Sequence, residues 1–274
     1  MLSEPNDISI VSLAKLSQGQ DWRVTLAHDR SYDLLIWVTR GQGRLLLDGL
    51  RRGVGAHNAI FVPAGSLFAL DLGRQSIGQA VILPAARGLR LPEMPRHLRI
   101  RDVHVQTELT GLIDAALREE QGGRALRADA LEAHAALISV WLRRQLFLEE
   151  NVPDQRNAAG RLSKGFCDLL VERYRSGAGM ADFAADLGVT PTHLTRAVKA
   201  ATGKTAADLM SERVLYEARK MLLETTEPAQ NIARHLGFGS AAYFTRAFHN
   251  RTGQTPTDFR DKRHPSTPAS VRMP

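Results

Sequence analysis

Cysteine is almost missing from this chain of 274 residues, which carries Cys167 and no other. No intramolecular disulfide can form, and no cysteine cluster can hold zinc. Cys167 sits between Phe166 and Leu169-Leu170 on an expected helix, where a thiol reads as a buried structural group rather than a redox sensor. Long apolar runs are also lacking, and none reaches the length of a membrane span. Residues Met1–Ser9 are acidic and polar, without the charged start and apolar middle of a signal peptide. These absences point to the cytoplasm and away from a membrane. Catalytic signatures are missing as well: no Gly-rich phosphate loop, no nucleophile elbow and no His-Glu-x-x-His. Nor does any His-x-His pair occur, so neither a cofactor nor a metal is expected.

Charge of both signs is present, but unevenly. The formal net charge is +7. From Arg161 onward there are 17 Lys/Arg against 11 Asp/Glu, whereas the first 160 residues hold 19 against 18. Nearly all the excess positive charge therefore lies in the C-terminal part, as expected of a segment that meets phosphates.

That same part repeats itself. Ala184 matches Ala233, and Leu187-Gly188 matches Leu236-Gly237. After one extra residue in the second turn, Thr195-Arg196-Ala197 matches Thr245-Arg246-Ala247, and Thr202-Gly203 matches Thr252-Gly253. One supersecondary unit is used twice. In the first copy, the spacing predicts a short helix over Met180–Leu187 and a left-handed turn at Gly188. Thr190-Pro191 then caps a second helix that stops at Gly203. Leu194, Ala197 and Val198 form its inner stripe, while Thr192, Thr195, Arg196 and Lys199 face outward. In the second copy a helix runs from Pro228 to Leu236, turns at Gly237, and resumes with Ser240 as cap. Ala242, Tyr243, Ala247 and Phe248 are read as apolar surface around Phe244, with Ala241, Thr245, Arg246 and His249 as candidate outer residues. Small polar and basic groups on the outer face of a short second helix suit the major groove. Between the copies, Thr205–Leu223 reads as one amphipathic helix. Its ~19 residues span roughly 28 Å, close to the distance of about 34 Å between successive major-groove faces. Thr255-Pro256 starts a closing turn of helix.

The first half reads differently. Leu34–Thr39, Arg44–Leu47, Ala59–Val62, Leu67–Leu70 and Ala80–Leu83 are short strands separated by turn residues, with Asp48-Gly49 as a hairpin signal. Their even spacing suggests a small barrel or jelly roll. Alternation puts Leu35, Trp37 and Thr39 on one face and Leu34, Ile36 and Val38 on the other, and either set could face inward. Helical periods follow over Val105–Gln121 and Arg124–Glu150 and fit a hairpin that covers the barrel, with a leftover face that could pair subunits. The polar stretch 151–160 reads as a linker, and Ser266–Pro274 as a loose tail.

Phe166–Arg263 strongly resembles the AraC/XylS family of bacterial transcription regulators. The resemblance is carried by Ile232-Ala233, Leu236-Gly237-Phe238, Ser240, Tyr243-Phe244, Arg246, Phe248, Gly253, Thr255-Pro256 and Phe259-Arg260. It implies two helix-turn-helix units, sequence-specific promoter DNA as partner and, most often, activation involving RNA polymerase. The family's DNA-contacting positions carry onto Thr192, Thr195 and Arg196, and onto Ser240, Ala241, Ala242, Thr245 and Arg246; Lys199 joins them on the outer face. Ala241-Ala242 replace longer polar groups of some members, so the second unit is expected to supply phosphate grip and shape reading. Gly41, Gly43, Asp48-Gly49 and Pro63-Ala64-Gly65 more weakly resemble the family's cupin-like sensor domain, which implies effector binding or dimerisation.

The expected architecture is thus α+β in two domains. A cupin-like effector or dimerisation domain with its helical hairpin covers 8–150. The linker follows at 151–160, then an all-α DNA-binding domain at 161–264. Arg23, His28, Trp37, Phe61 and Phe68 are candidates for recognising an effector with an apolar body and an anionic end. The competing reading is a cupin-type metal enzyme with a regulatory DNA-binding tail. Against it, Ser66-Leu67-Phe68 stands where such an enzyme places a ligand histidine. A homodimer is a further expected partner.

Overall fold

A computed structural model describes residues 7–84, 88–149 and 157–261. Within the first 100 residues, turn chemistry and alternation produce eight strands. These are β1 (Ser9–Ser12), β2 (Tyr32–Arg40), β3 (Gly43–Leu47), β4 (Leu50–Val54), β5 (Asn58–Val62), β6 (Phe68–Leu72), β7 (Ile77–Pro84) and β8 (Arg96–Arg99). Two single-turn helices, α1 (Leu13–Leu16) and α2 (Trp22–Thr25), separate β1 from β2. The strands form two antiparallel sheets, ordered β1-β7-β2-β5-β8 and β4-β3-β6. The expected barrel therefore takes the form of a two-sheet sandwich, and no ladder closes it among the described residues. Asp48-Gly49 makes the two-residue turn between β3 and β4, with both residues at positive φ, as the Leu47–Leu50 pairing requires.

Register decides which face of β2 goes where. Leu34, Ile36 and Val38 point between the sheets and meet Leu45, Leu47, Phe68 and Leu70. Leu35 and Trp37 point the other way, onto the helical hairpin of α3 (Val103–Gln121) and α4 (Arg127–Glu149). Asp102 caps α3 by accepting from the amides of His104 and Val105. Trp37 is fully buried there, its Nε1 donating to Thr110 Oγ1 at 3.1 Å. Trp141 of α4 likewise donates to the Val105 carbonyl at 3.2 Å. Each indole thus buries its ring without orphaning its N–H.

The remainder is helical: α5 (Ala158–Arg173), α6 (Met180–Asp186), α7 (Pro191–Thr202), α8 (Ala206–Glu224), α9 (Ala229–His235), α10 (Ala241–Thr252) and α11 (Pro256–Asp261). Phe166, Leu170, Phe183, Leu194, Val198, Leu209, Leu222, Phe244 and Phe248 share one core. Cys167 is buried in it, and that burial pushes the thiol up to about 12, so it stays protonated and inert. Of the expected linker, 151–156 lies outside the described residues, whereas Ala158–Gly160 already belong to α5. Residues 262–264 and the tail at 266–274 also lie outside them.

Candidate nucleic-acid interface

The two repeats fold into the same unit, residue for residue at its punctuation. In the first turn Gly188 N donates to Ala185 O at 3.0 Å and Val189 N to Ala184 O at 2.9 Å. In the second, Gly237 N donates to Arg234 O at 3.1 Å and Phe238 N to Ala233 O at 3.0 Å. Both glycines have positive φ, so each turn ends its helix in the left-handed region. Thr190 Oγ1 then caps α7 by accepting from His193 N, and Ser240 Oγ caps α10 by accepting from Tyr243 N, each at 3.2 Å. The far ends match too. Thr202 Oγ1 donates to Val198 O, and Thr252 Oγ1 to Phe248 O. Gly203 and Gly253 close the helices at φ 78° and 72°.

α8 joins the units as a helix of 19 residues. Its Thr205–Asp208 capping box is repeated at Thr255–Asp258 on α11. One asymmetry fixes the second unit: Gly237 lies against the loop after α5. A Cβ there would stand 2.6 Å from both Arg175 O and Gly177 N. Gly188 faces open space.

The outer faces of α7 and α10 are open. Thr192, Arg196 and Lys199 are exposed and Thr195 half-buried on α7. On α10, Ala242 and Arg246 are exposed, with Ala241 and Thr245 half-buried and the cap Ser240 exposed. No described residue forms an ion pair or side-chain hydrogen bond with Arg196, Lys199 or Arg246. Unpaired cations on a helix face are available to an external anion. Tyr243, expected as apolar surface, is instead 57% exposed and stands on the wall of a groove of about 780 Å³ beside Arg246, with α8 as another wall. Its counterpart in the first copy is His193, also exposed. Both follow their caps by three positions. Tyr243 shares a stripe with Arg246 and Asn250 at the spacings i+3 and i+7, and that signal was readable in the sequence.

A family profile described as a helix-turn-helix domain matches residues 183–262. Residues 183–262 are an AraC-type helix-turn-helix domain. The chain is 25% identical over 135 residues to the arabinose operon regulatory protein of Escherichia coli (strain K12), covering 49% of this chain and 45% of that protein. It is 34% identical over 71 residues to the bifunctional transcriptional activator/DNA repair enzyme AdaA of Bacillus subtilis (strain 168), covering 26% and 34% respectively. It thus spans less than half the length of these curated relatives. Among solved structures, unsaturated fatty acid-bound ToxT from Vibrio cholerae aligns over 95% of this chain and 97% of that one, at 12% identity and a TM-score of 0.41.

The AraC-type domain is clasped by the sheet domain along α8. Arg213 is buried, with its Nε 2.6 Å from Asp29 Oδ1 and its Nη1 3.1 Å from Glu217 Oε2. Its guanidinium carbon lies 3.7 Å from the centre of the Tyr174 ring. Arg23 Nη1 meets Glu224 Oε1 at 2.9 Å, and Ala27 N donates to Glu212 Oε2 at 3.1 Å. His28 stacks on Tyr216 at 4.2 Å and touches Phe68 at 4.3 Å. Its Nδ1 is 2.8 Å from Leu26 O, and Arg30 Nε donates to its Nε2 at 3.2 Å, which fixes a neutral ring. Complete burial, then the neighbouring Arg30 charge, hold the His28 pKa well below its ordinary value.

The effector candidates are therefore split. Arg23, His28 and Phe68 meet at this junction, whereas Trp37 and Phe61 lie in the sheet–hairpin layer. The space between the sheets is filled by Leu, Ile, Val and Phe side chains. Among the described residues no three His, Cys, Asp or Glu side chains come together as a metal site, and no helix is long and apolar enough to cross a membrane.

Proposed function

We propose that this chain is a sequence-specific double-stranded DNA-binding transcription regulator. The observation that carries this reading is the duplicated helix-turn-helix with unpaired cations on both reading helices, joined by a helix of 19 residues. In this reading Arg196 and Arg246 enter successive major grooves, with Thr192, Thr195, Ser240 and Thr245 beside them. Lys199 holds phosphate, and Ala241-Ala242 allow close approach of α10 to the groove. An activating role is supported by the activator named among the relatives, and in this reading RNA polymerase is the partner at the promoter. A DNA partner places the protein in the compartment that holds the chromosome. Exposed Leu137, Phe147 and Leu148 on α4 support pairing with a second copy. Control by a small molecule fits the junction, where Arg23 and His28 touch both domains and Phe68 lies against His28, better than the filled sandwich interior.

The test is a mobility shift and footprint on fragments recovered by genome-wide selection of bound DNA. Arg196→Ala is expected to cost about 1–3 kcal/mol of affinity and to relax preference at one base position. Unchanged affinity and unchanged site preference would remove Arg196 from the interface.

A further inference from the structure

We propose that the sheet domain itself grips DNA. Arg44 and Arg51 continue the exposed face of α7 and take phosphates at the edge of the groove that α7 reads. This rests on the DNA-binding reading and extends it to a surface outside the helix-turn-helix domain.

The geometry begins with the edge strand β4, which packs against α7. Arg51 pairs across the ladder with Leu46, which is buried against the helical core, so Arg51 lies on the outer face of the sheet. Arg44 pairs with Gly53 on one side and Asp71 on the other. Opposite residues in an antiparallel ladder share a face, and Arg44 is two residues from Leu46, so it too is on the outer face. Arg52 also borders the recess that these strands form with α7, but its side chain lies on the other side of β4, where its charge helps depress His97. Both outer arginines are exposed, and no described residue gives either one an ion pair or a side-chain hydrogen bond. Together with Gly43, Gly53 and the C-terminal end of α7 at Gly203, they wall a recess of about 560 Å³. Arg51 Nη1 comes within 3.1 Å of the place where a Cβ on Gly203 would sit. Gly53, opposite Arg44, leaves this surface bare, since a Cβ there would meet nothing within 4 Å, so a bulky backbone can approach.

The recess adjoins the stripe Arg196–Lys199–Gly203. From Arg196 to Gly203 is about 10 Å along the helix axis. The major groove is about 12 Å wide. With Arg196 at the bases, the end of α7 therefore stands at the groove's rim, where phosphates run. The C-terminus of α7 carries the negative end of its helix dipole. That end disfavours an anion seated deep in the recess, so a phosphate is met outside it, where the dipole has fallen off and the guanidinium groups reach it.

The experiment measures the dissociation constant of the full chain for a selected duplex across a salt series, for the parent, Arg44→Ala, Arg44→Glu and Arg51→Gln. Arg196→Ala serves as control. Arg44 forms no ion pair or side-chain hydrogen bond with a described residue, so Arg44→Ala reports on DNA rather than stability. Arg44→Glu sets a second carboxylate opposite Asp71 and Arg51 also abuts α7, so the thermal midpoints of those two variants are compared with the parent's. Each neutralisation is expected to lower the slope of log K against log salt by about one and to weaken all sequences alike. Arg44→Glu should weaken binding further. If the Arg44 variants keep the parent slope and affinity while Arg196→Ala loses affinity, the inference fails and the DNA-binding reading stands. If the parent shows no salt-dependent binding to any duplex, both fail. If millimolar inorganic phosphate raises the thermal midpoint of the parent but not of Arg44→Glu, with duplex binding equal in both, the recess is a free-anion site and the inference is overturned.

Discussion

Replacing Asp29 with alanine strips from Arg213 one of the two carboxylates that hold it, and the cost can be worked from the geometry. The Arg213 side chain is 4% exposed and that of Asp29 19%, with 2.6 Å between them. Leaving a buried charge wholly unpaired costs about 3–5 kcal/mol. Here Glu217 remains at 3.1 Å and the Tyr174 face remains beneath the guanidinium, and Asp29 keeps some solvent. The expected loss is therefore about 2 kcal/mol, and it should fall on the junction. Urea unfolding of the full chain should show the lower midpoint, and amide exchange should accelerate along α8. Adding Glu217→Gln should cost more on the Asp29→Ala background than on the parent, because the second removal leaves Arg213 with no carboxylate at all. A midpoint within about 0.5 kcal/mol of the parent, the range of an ordinary surface change, together with unchanged exchange in α8, would refute the clasp.

Other consequences follow from the same contacts. Gly188→Ala should cost roughly 1–2 kcal/mol, the price of a left-handed alanine. Gly237→Ala should cost roughly 1–3 kcal/mol more, because its Cβ meets backbone that cannot yield; equal denaturation midpoints would contradict this. Stability should be nearly flat from pH 8 to about 7.5 and fall on further acidification. The unfolded chain then takes up protons near the ordinary histidine pKa of about 6.5, which the buried His28 refuses. His97, lowered to about 4 by burial and then by Arg52, adds to the loss between those two values and nothing below. Full protonation of the unfolded chain sets a ceiling of about 1.4 kcal/mol per pH unit per histidine, and unfolding at pH 8, 6.5 and 5 measures it. Trp37→Ala, which empties a fully buried site in the sheet–hairpin layer, should lower stability by about 3–5 kcal/mol, read as a lower thermal midpoint.

The helical part was legible because its signals are local. Gly188, Gly203, Gly237 and Gly253 each fall where a helix must end in the left-handed region, and Thr190, Thr205, Ser240 and Thr255 each stand one residue before a helix begins. Each instruction is contained within four or five residues, and its repetition about 50 residues later confirmed it. Among the misreadings there, Ala242 and Tyr243 are exposed rather than packed around Phe244, and the linker was carried into α5, which begins at Ala158. The reading of Tyr243 came from ranking an aromatic side chain by apolarity alone. The stripe it shares with Arg246 and Asn250 was the better guide.

In the sheet half, β2, β3, β5, β6, β7 and the Asp48-Gly49 turn were readable, but β1, β4, β8 and the facing were not. Both faces of β2 are apolar because one meets the opposite sheet and the other meets α3 and α4. An alternating pattern disappears when a sheet is covered on both sides. The junction was less visible still. Arg213 and Asp29 lie 184 residues apart, and Arg23 and Glu224 lie 201 apart, so no window of sequence holds both partners. This limit bears on how control is expected to work. The same α8 that spaces the two reading helices is the element the sheet domain clasps. Anything that loosens Asp29, Arg23 or His28 therefore acts directly on the spacer between the reading helices. The sandwich interior, packed with aliphatic side chains, offers no such lever. Signal transfer in this chain is thus expected to depend on polar contacts at the junction, and Asp29→Ala should shift DNA affinity as well as stability, whereas changes at Leu34 or Ile36 should shift stability alone.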